Sequence, residues 1–188
     1  MSKAKLMTDL KRAIASGDED QTHDAAVLVG DAGDEEAVPS LLSLLTEDPR
    51  VHVKNGAAIA LRQLHANAAV PQLIKLIESP DFRHNRGTFV YALATLDWYS
   101  KYSSAVAKLI PDPNYEVRCM AVRALELAID KMTRAQKGDM VVALSLSILG
   151  RLMSKSLTPD GTEAASFASQ LLATKKMIQD TEFELVVA

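Results

Sequence analysis

Seventeen residues, DPRVHVKNGAAIALRQL at 48–64, return in worn form as PDFRHNRGTFVYALATL at 80–96 and again as DPNYEVRCMAVRALELA at 112–128. The interval is 32 residues each time. A helical unit that recurs at a fixed period cannot bury both of its apolar faces alone, so such chains fold as stacks of the unit.

The registers agree in detail. Ala60, Leu61 and Leu64 correspond to Ala92, Leu93 and Leu96, then to Ala124, Leu125 and Ala128. A basic residue precedes each set, Lys54, Arg86 and Arg118, and a proline precedes each of those, Pro49, Pro80 and Pro113. Ahead of the prolines, AVPSLLSLL (37–45) matches AVPQLIKLI (69–77) and, more loosely, SSAVAKLI (103–110). Each unit therefore reads as helix A, a turn and helix B. Asp48-Pro49, Ser79-Pro80 and Asp112-Pro113 are expected to open helix B, the oxygen side chain capping and the proline taking the first helical position. Val53, Ala57, Leu61 and Leu64 recur at helical spacing and predict the buried face. In the middle unit, Asn85 replaces the valine and Thr88-Phe89-Val90 replaces small residues, so its packing should differ locally.

The Asp-Pro, Val-Arg and spaced Ala and Leu of 112–128 resemble the HEAT repeat, in the short bacterial variety also found in phycobilisome-linker lyases. The resemblance covers about 34–130. It implies an all-α fold, a right-handed α-solenoid of antiparallel helix pairs with helix B on the concave side. It also implies that Lys54, Arg86 and Arg118 brace adjacent units. The shared residues are packing residues, so the resemblance implies a fold and no chemistry.

In order, the chain reads as one domain over 1–188. Residues 1–33 form a degenerate first repeat, with an amphipathic helix on Leu6, Leu10 and Ile14 and a second helix, 21–32, with Ala25, Ala26 and Val29 inward. Clear repeats follow at 34–65, 67–97 and 100–130. Residues 131–188 make a degenerate repeat and cap. There Thr133 caps a long helix, or Gly138-Asp139 breaks it. A loop at 156–162, a helix from Glu163 to about Met177 and an apolar tail complete the reading. The low aromatic content, 5%, implies an aliphatic core. One cysteine excludes an intrachain disulfide. With no apolar run near the length of a membrane span and no apolar signal core, the expected location is the cytoplasm.

Chemistry is hard to place. Cys119 has no histidine in its repeat or later, so no base is available to activate it. His23, His52, His65 and His84 lack ligand spacing; His52 and His84 share a register and read as a solvent-facing ridge. No glycine loop cradles phosphate. No catalytic residue, cofactor or metal is expected.

Charge is more informative. Residues 17–48 hold ten acids and no Lys or Arg, whereas 49–86 hold six basic residues and two acids. Segregated charge steers partners. Along helix B, the positions outside the core are Asn55, Ile59 and Arg62, then Gly87, Tyr91, Ala94 and Trp98, then Cys119, Arg123 and Glu126. Tyr, Trp and Arg dominate interface energetics. These positions, with Asp34, Glu35 and Glu36, predict a surface for a partner protein carrying a basic patch. Such a protein would be a toxin-neutralising immunity protein or an adaptor. Trp98 has a second reading, as a plug between repeats. The alternatives are nucleic-acid binding through Arg50, Lys54, Arg83 and Arg86, or a lyase- or chaperone-type accessory role.

Overall fold

The computed structural model describes residues 1–153, with side chains as far as 146. Among the described residues there are helices and turns and no strand. The helices are α1 (Lys3–Ser16), α2 (Glu19–Asp31), α3 (Val38–Glu47), α4 (Val51–Gln63), α5 (Val70–Glu78), α6 (Gly87–Leu93), α7 (Ser103–Ala107), α8 (Tyr115–Ile129) and α9 (Arg134–Met153). The chain divides into two compact units, Met1–Asp97 and a second beginning at Trp98.

In the first unit, α1, α3 and α5 are A helices and α2, α4 and α6 are B helices. Each pair packs together, and α4 packs between α2 and α6. The AVP signature has a local cause. Ala37 and Ala69 end short 3-10 turns and are fully buried, while Pro39 and Pro71 sit in the first turn of α3 and α5, where a missing N–H costs nothing.

The turn from helix A to helix B differs from the expected cap. Asp48 accepts from the Arg50 N–H at 2.9 Å, Ser79 from Asp81 N–H at 3.3 Å and Asp112 from Asn114 N–H at 2.8 Å. The oxygen side chains thus close the turn itself. Pro49 and Pro113 stand before the helices, whose N-caps are Arg50 and Asn114; Asn114 accepts from Val117 N–H at 3.3 Å. In the middle repeat, Pro80–Phe82 is a 3-10 turn and α6 starts only at Gly87. Phe89, buried where its neighbours carry alanine, meets Phe82 edge-on at 5.8 Å, which gives the short helix its own packing.

The basic register acts on its own repeat. Lys54 is almost fully buried, and its Nζ donates to Leu45 O at 2.7 Å and Thr46 O at 3.0 Å. Arg86 donates to Ile77 O at 3.3 Å, and Arg118 to Asp112 O at 2.7 Å and Pro113 O at 3.0 Å. Thr22 holds the same register in the first repeat and donates to Ala13 O at 3.0 Å. These donors satisfy carbonyls that the end of helix A, or the turn after it, leaves open. Contacts between neighbouring repeats include Arg50, whose Nη1 donates to Gly17 O at 2.6 Å, and Thr95, whose Oγ1 donates to Arg62 O at 3.4 Å.

Helix ends use a left-handed residue at a repeated position. Gly33 (φ 65°) follows α2 and His65 (φ 50°) follows α4, with Asp34 N–H and Ala66 N–H reaching back to Val29 O and Leu61 O. This is the Schellman arrangement.

In the second unit, α7 packs against α8 and α9. Thr133 caps α9 by donating its N–H to Gln136 Oε1 at 2.8 Å and accepting from Gln136 N–H at 3.3 Å, and the helix runs through Gly138 without a break. The readings for 156–162, Glu163–Met177 and the tail lie outside the described residues.

Leu61 and Leu93 are both fully buried. Truncating either to alanine should cost about 2–5 kcal/mol in urea unfolding, and losses below about 1 kcal/mol at both would contradict this core register.

A second expectation concerns acid. The hydrogen bond from Arg50 holds the Asp48 carboxyl below the usual carboxylate range, with burial opposing it. A lowered folded pKa means stability that is present at neutral pH and lost as pH falls through that lowered value. Asp48→Asn should therefore cost about 1 kcal/mol at pH 7. The gap to the parent should close as the pH is brought below the ordinary range of aspartate. A gap that persists undiminished in acid would show that the charge on Asp48 is not what stabilises the turn.

Candidate partner-binding face

The B helices of the first unit approach one another closely because α2 and α4 lack side chains where they cross. A Cβ on Gly30 would stand 2.6 Å from Ala60 Cα, and one on Gly56 would stand 2.9 Å from His23 Cα and the His23 carbonyl oxygen. Backbone-to-backbone approach of this kind leaves room for nothing larger than glycine.

Close, in-register packing lines up the outward positions. Val27 on α2, Ile59 on α4 and Tyr91 on α6 occupy the same register, 32 residues apart. Val27 and Ile59 are half-buried, and Tyr91 is 36% exposed. The Arg62 guanidinium lies over the Tyr91 ring, 4.2 Å from its centroid, a cation–π contact joining α4 to α6. Asn55 is half-buried on α4, and its Oδ1, like Arg62 Nε, is enclosed without a hydrogen-bond partner. Native structures seldom leave such atoms unused. The α2 edge of the row is acidic, with Asp20, Asp24 and Asp31 all exposed.

The remaining positions are placed differently. Trp98 is fully buried and offers no surface for a partner. Gly87 and Ala94 are buried as well. Asp34 is only 3% exposed, while Glu35 and Glu36 are exposed. In the second unit, Arg123 and Glu126 are exposed and pair at 3.3 Å on α8. There Tyr115 shares a hydrogen bond with Cys119, which pushes the phenol above its ordinary pKa, Arg118 opposing.

His52 and His84 are both exposed, and His52 has a neighbour on α2. His52 stacks on His23 with centroids 4.0 Å apart and planes 9° apart, and Asp20 approaches His52 at 3.5 Å. Neither the stack nor Val27 was expected from sequence. Adding the 32-residue interval backwards from Ile59 would have found Val27; the stack pairs helix positions that no shared register connects.

Among the described residues, no three His, Cys, Asp or Glu side chains converge to hold a metal ion, and no helix is long and apolar enough to cross a membrane. The basic segment is largely committed. Lys54 and Arg86 donate to backbone, and Arg50 forms an ion pair with Asp48 at 2.6 Å, leaving Arg83 exposed.

The arrangement defines a class, the α-helical repeat stack. Residues 8–94 match the family model for HEAT repeats, so this stretch of the chain carries HEAT repeats. HEAT repeats are commonly protein-interaction scaffolds. No curated protein matches the chain.

Proposed function

We propose that this protein is a non-enzymatic binding module that holds a basic protein partner against the α2–α4–α6 row. The Arg62–Tyr91 pair carries the reading. It sets an aromatic ring and a planar cation, two of the groups that anchor interfaces most strongly, in line with the apolar Val27 and Ile59. The acidic α2 edge favours a partner with a basic patch and would speed its approach. Within this class, a toxin-neutralising immunity protein is the more specific reading and an adaptor the broader one, since both need a rigid, charged, ready-formed face. The nucleic-acid alternative has less support, because three of its four proposed cations are held by groups within the protein.

A photo-crosslinking amino acid at position 59, compared with one at exposed Lys75 on α5, tests the proposal in cells. The expected result is one polypeptide captured from position 59 and absent from position 75. With that polypeptide purified, Tyr91→Ala should weaken binding by at least about 2 kcal/mol while the melting temperature barely moves. Capture of nucleic acid at 59, or unchanged affinity in Tyr91→Ala, would overturn the proposal.

A further inference from the structure

A cleft of about 340 Å³ opens between the start of α1 and the turn after α2, away from the B-helix row, lined by Lys3, Ala4, Met7, Gly33, Asp34, Glu35 and Glu36. Three carboxylates and one ammonium share it, so its balance is negative. An acidic cluster alone means little, but Asp34 is unusual within it. The residue is only 3% exposed, and among the described residues its carboxylate has no hydrogen-bond or ion-pair partner. Burying a carboxylate without a partner is costly, and such groups ordinarily have one.

The backbone explains why Asp34 stands there. Its N–H closes the Schellman turn onto Val29 O at 3.3 Å, and its C=O accepts from Ala37 N–H at 3.1 Å. Both main-chain groups are engaged, which leaves the side chain to meet whatever enters. The rim already receives a cation: Lys3 Nζ donates to Gly33 O at 2.6 Å. Ala4 and Met7 add apolar wall, suited to a methylene stem.

We propose that this cleft takes a basic side chain, arginine or lysine, from a bound polypeptide, with Asp34 as the buried counter-charge. Glu35 and Glu36 supply the outer charge, and Lys3 occupies the rim until it is displaced. An organic cation fits better than a metal ion, because the carboxylates do not converge as a coordination group. Planar guanidinium pairs with carboxylate through two parallel hydrogen bonds, which favours arginine. The cleft stands apart from Tyr91, so this inference does not depend on the proposed B-helix row.

The test uses the full-length protein and a capped Gly-Arg-Gly peptide, with its citrulline counterpart as the neutral control. Backbone amide shifts of Gly33 and Ala37 are followed by NMR. The arginine peptide should give saturable shifts with a dissociation constant in the millimolar range or tighter, and citrulline should bind at least tenfold more weakly. Asp34→Asn should weaken the arginine peptide at least fivefold, Lys3→Ala should tighten it severalfold, and Tyr91→Ala should change nothing. If Asp34→Asn does not fold, the Glu35→Gln/Glu36→Gln double variant must weaken binding in its place. Absence of saturable shifts, equal binding of citrulline, calcium alone acting at these amides, or indifference to the carboxylate variants would each overturn the proposal.

Discussion

Everything in the first unit hangs from one recurring hydrogen bond. A donor at the start of helix B reaches back to the carbonyl end of helix A, from Thr22 to Ala13, Lys54 to Leu45 and Arg86 to Ile77. The spacing is nine residues in all three. The bond does two things together. It satisfies a carbonyl that the end of a helix leaves open, and it fixes where helix B starts relative to helix A. In the charged versions the cation also meets the negative end of the helix dipole. Burial pushes the Lys54 ammonium below its ordinary pKa while Asp48 pulls the other way. The site thus accepts some cost of desolvation in return for a fixed corner.

With the corners fixed, the B helices can run side by side at short range. Gly30 against Ala60 and Gly56 against His23 bring α2 and α4 into backbone contact. That contact keeps Val27, Ile59 and Tyr91 in one line, and the same regularity places Arg62 over the Tyr91 ring. On the proposed reading, a face held in this way would lose little ordering entropy when a partner binds. A polar tie between neighbouring repeats, from Thr95 Oγ1 to Arg62 O at 3.4 Å, adds to this register.

The periodic part of this architecture was legible from sequence, because packing residues must recur wherever the packing recurs. Leu61 and Leu93 are buried where the repeat predicted, and the repeats at 34–65, 67–97 and 100–130 each hold a helix pair. What escaped was chemistry carried by unlike residues at like positions. Thr22 does the work of Lys54 with a hydroxyl, and His65 takes a left-handed turn that Gly33 takes more easily. Arg50 braces neighbouring repeats although the recurring cation was Lys54. The burial of Asp34, which lines a cleft with Lys3 and Met7, depends on neighbours distant in sequence, which no periodicity encodes.

The central claim is that the B-helix row is where a partner sits. Hydrogen exchange of the free protein and of its complex with the polypeptide captured at position 59 addresses it directly. The account predicts that amides of α2, α4 and α6 slow on binding while those of α3 and α5 keep their free-state rates. Protection confined to α3 and α5, with the B helices unchanged, would contradict it and move the binding surface to the opposite side of the repeats.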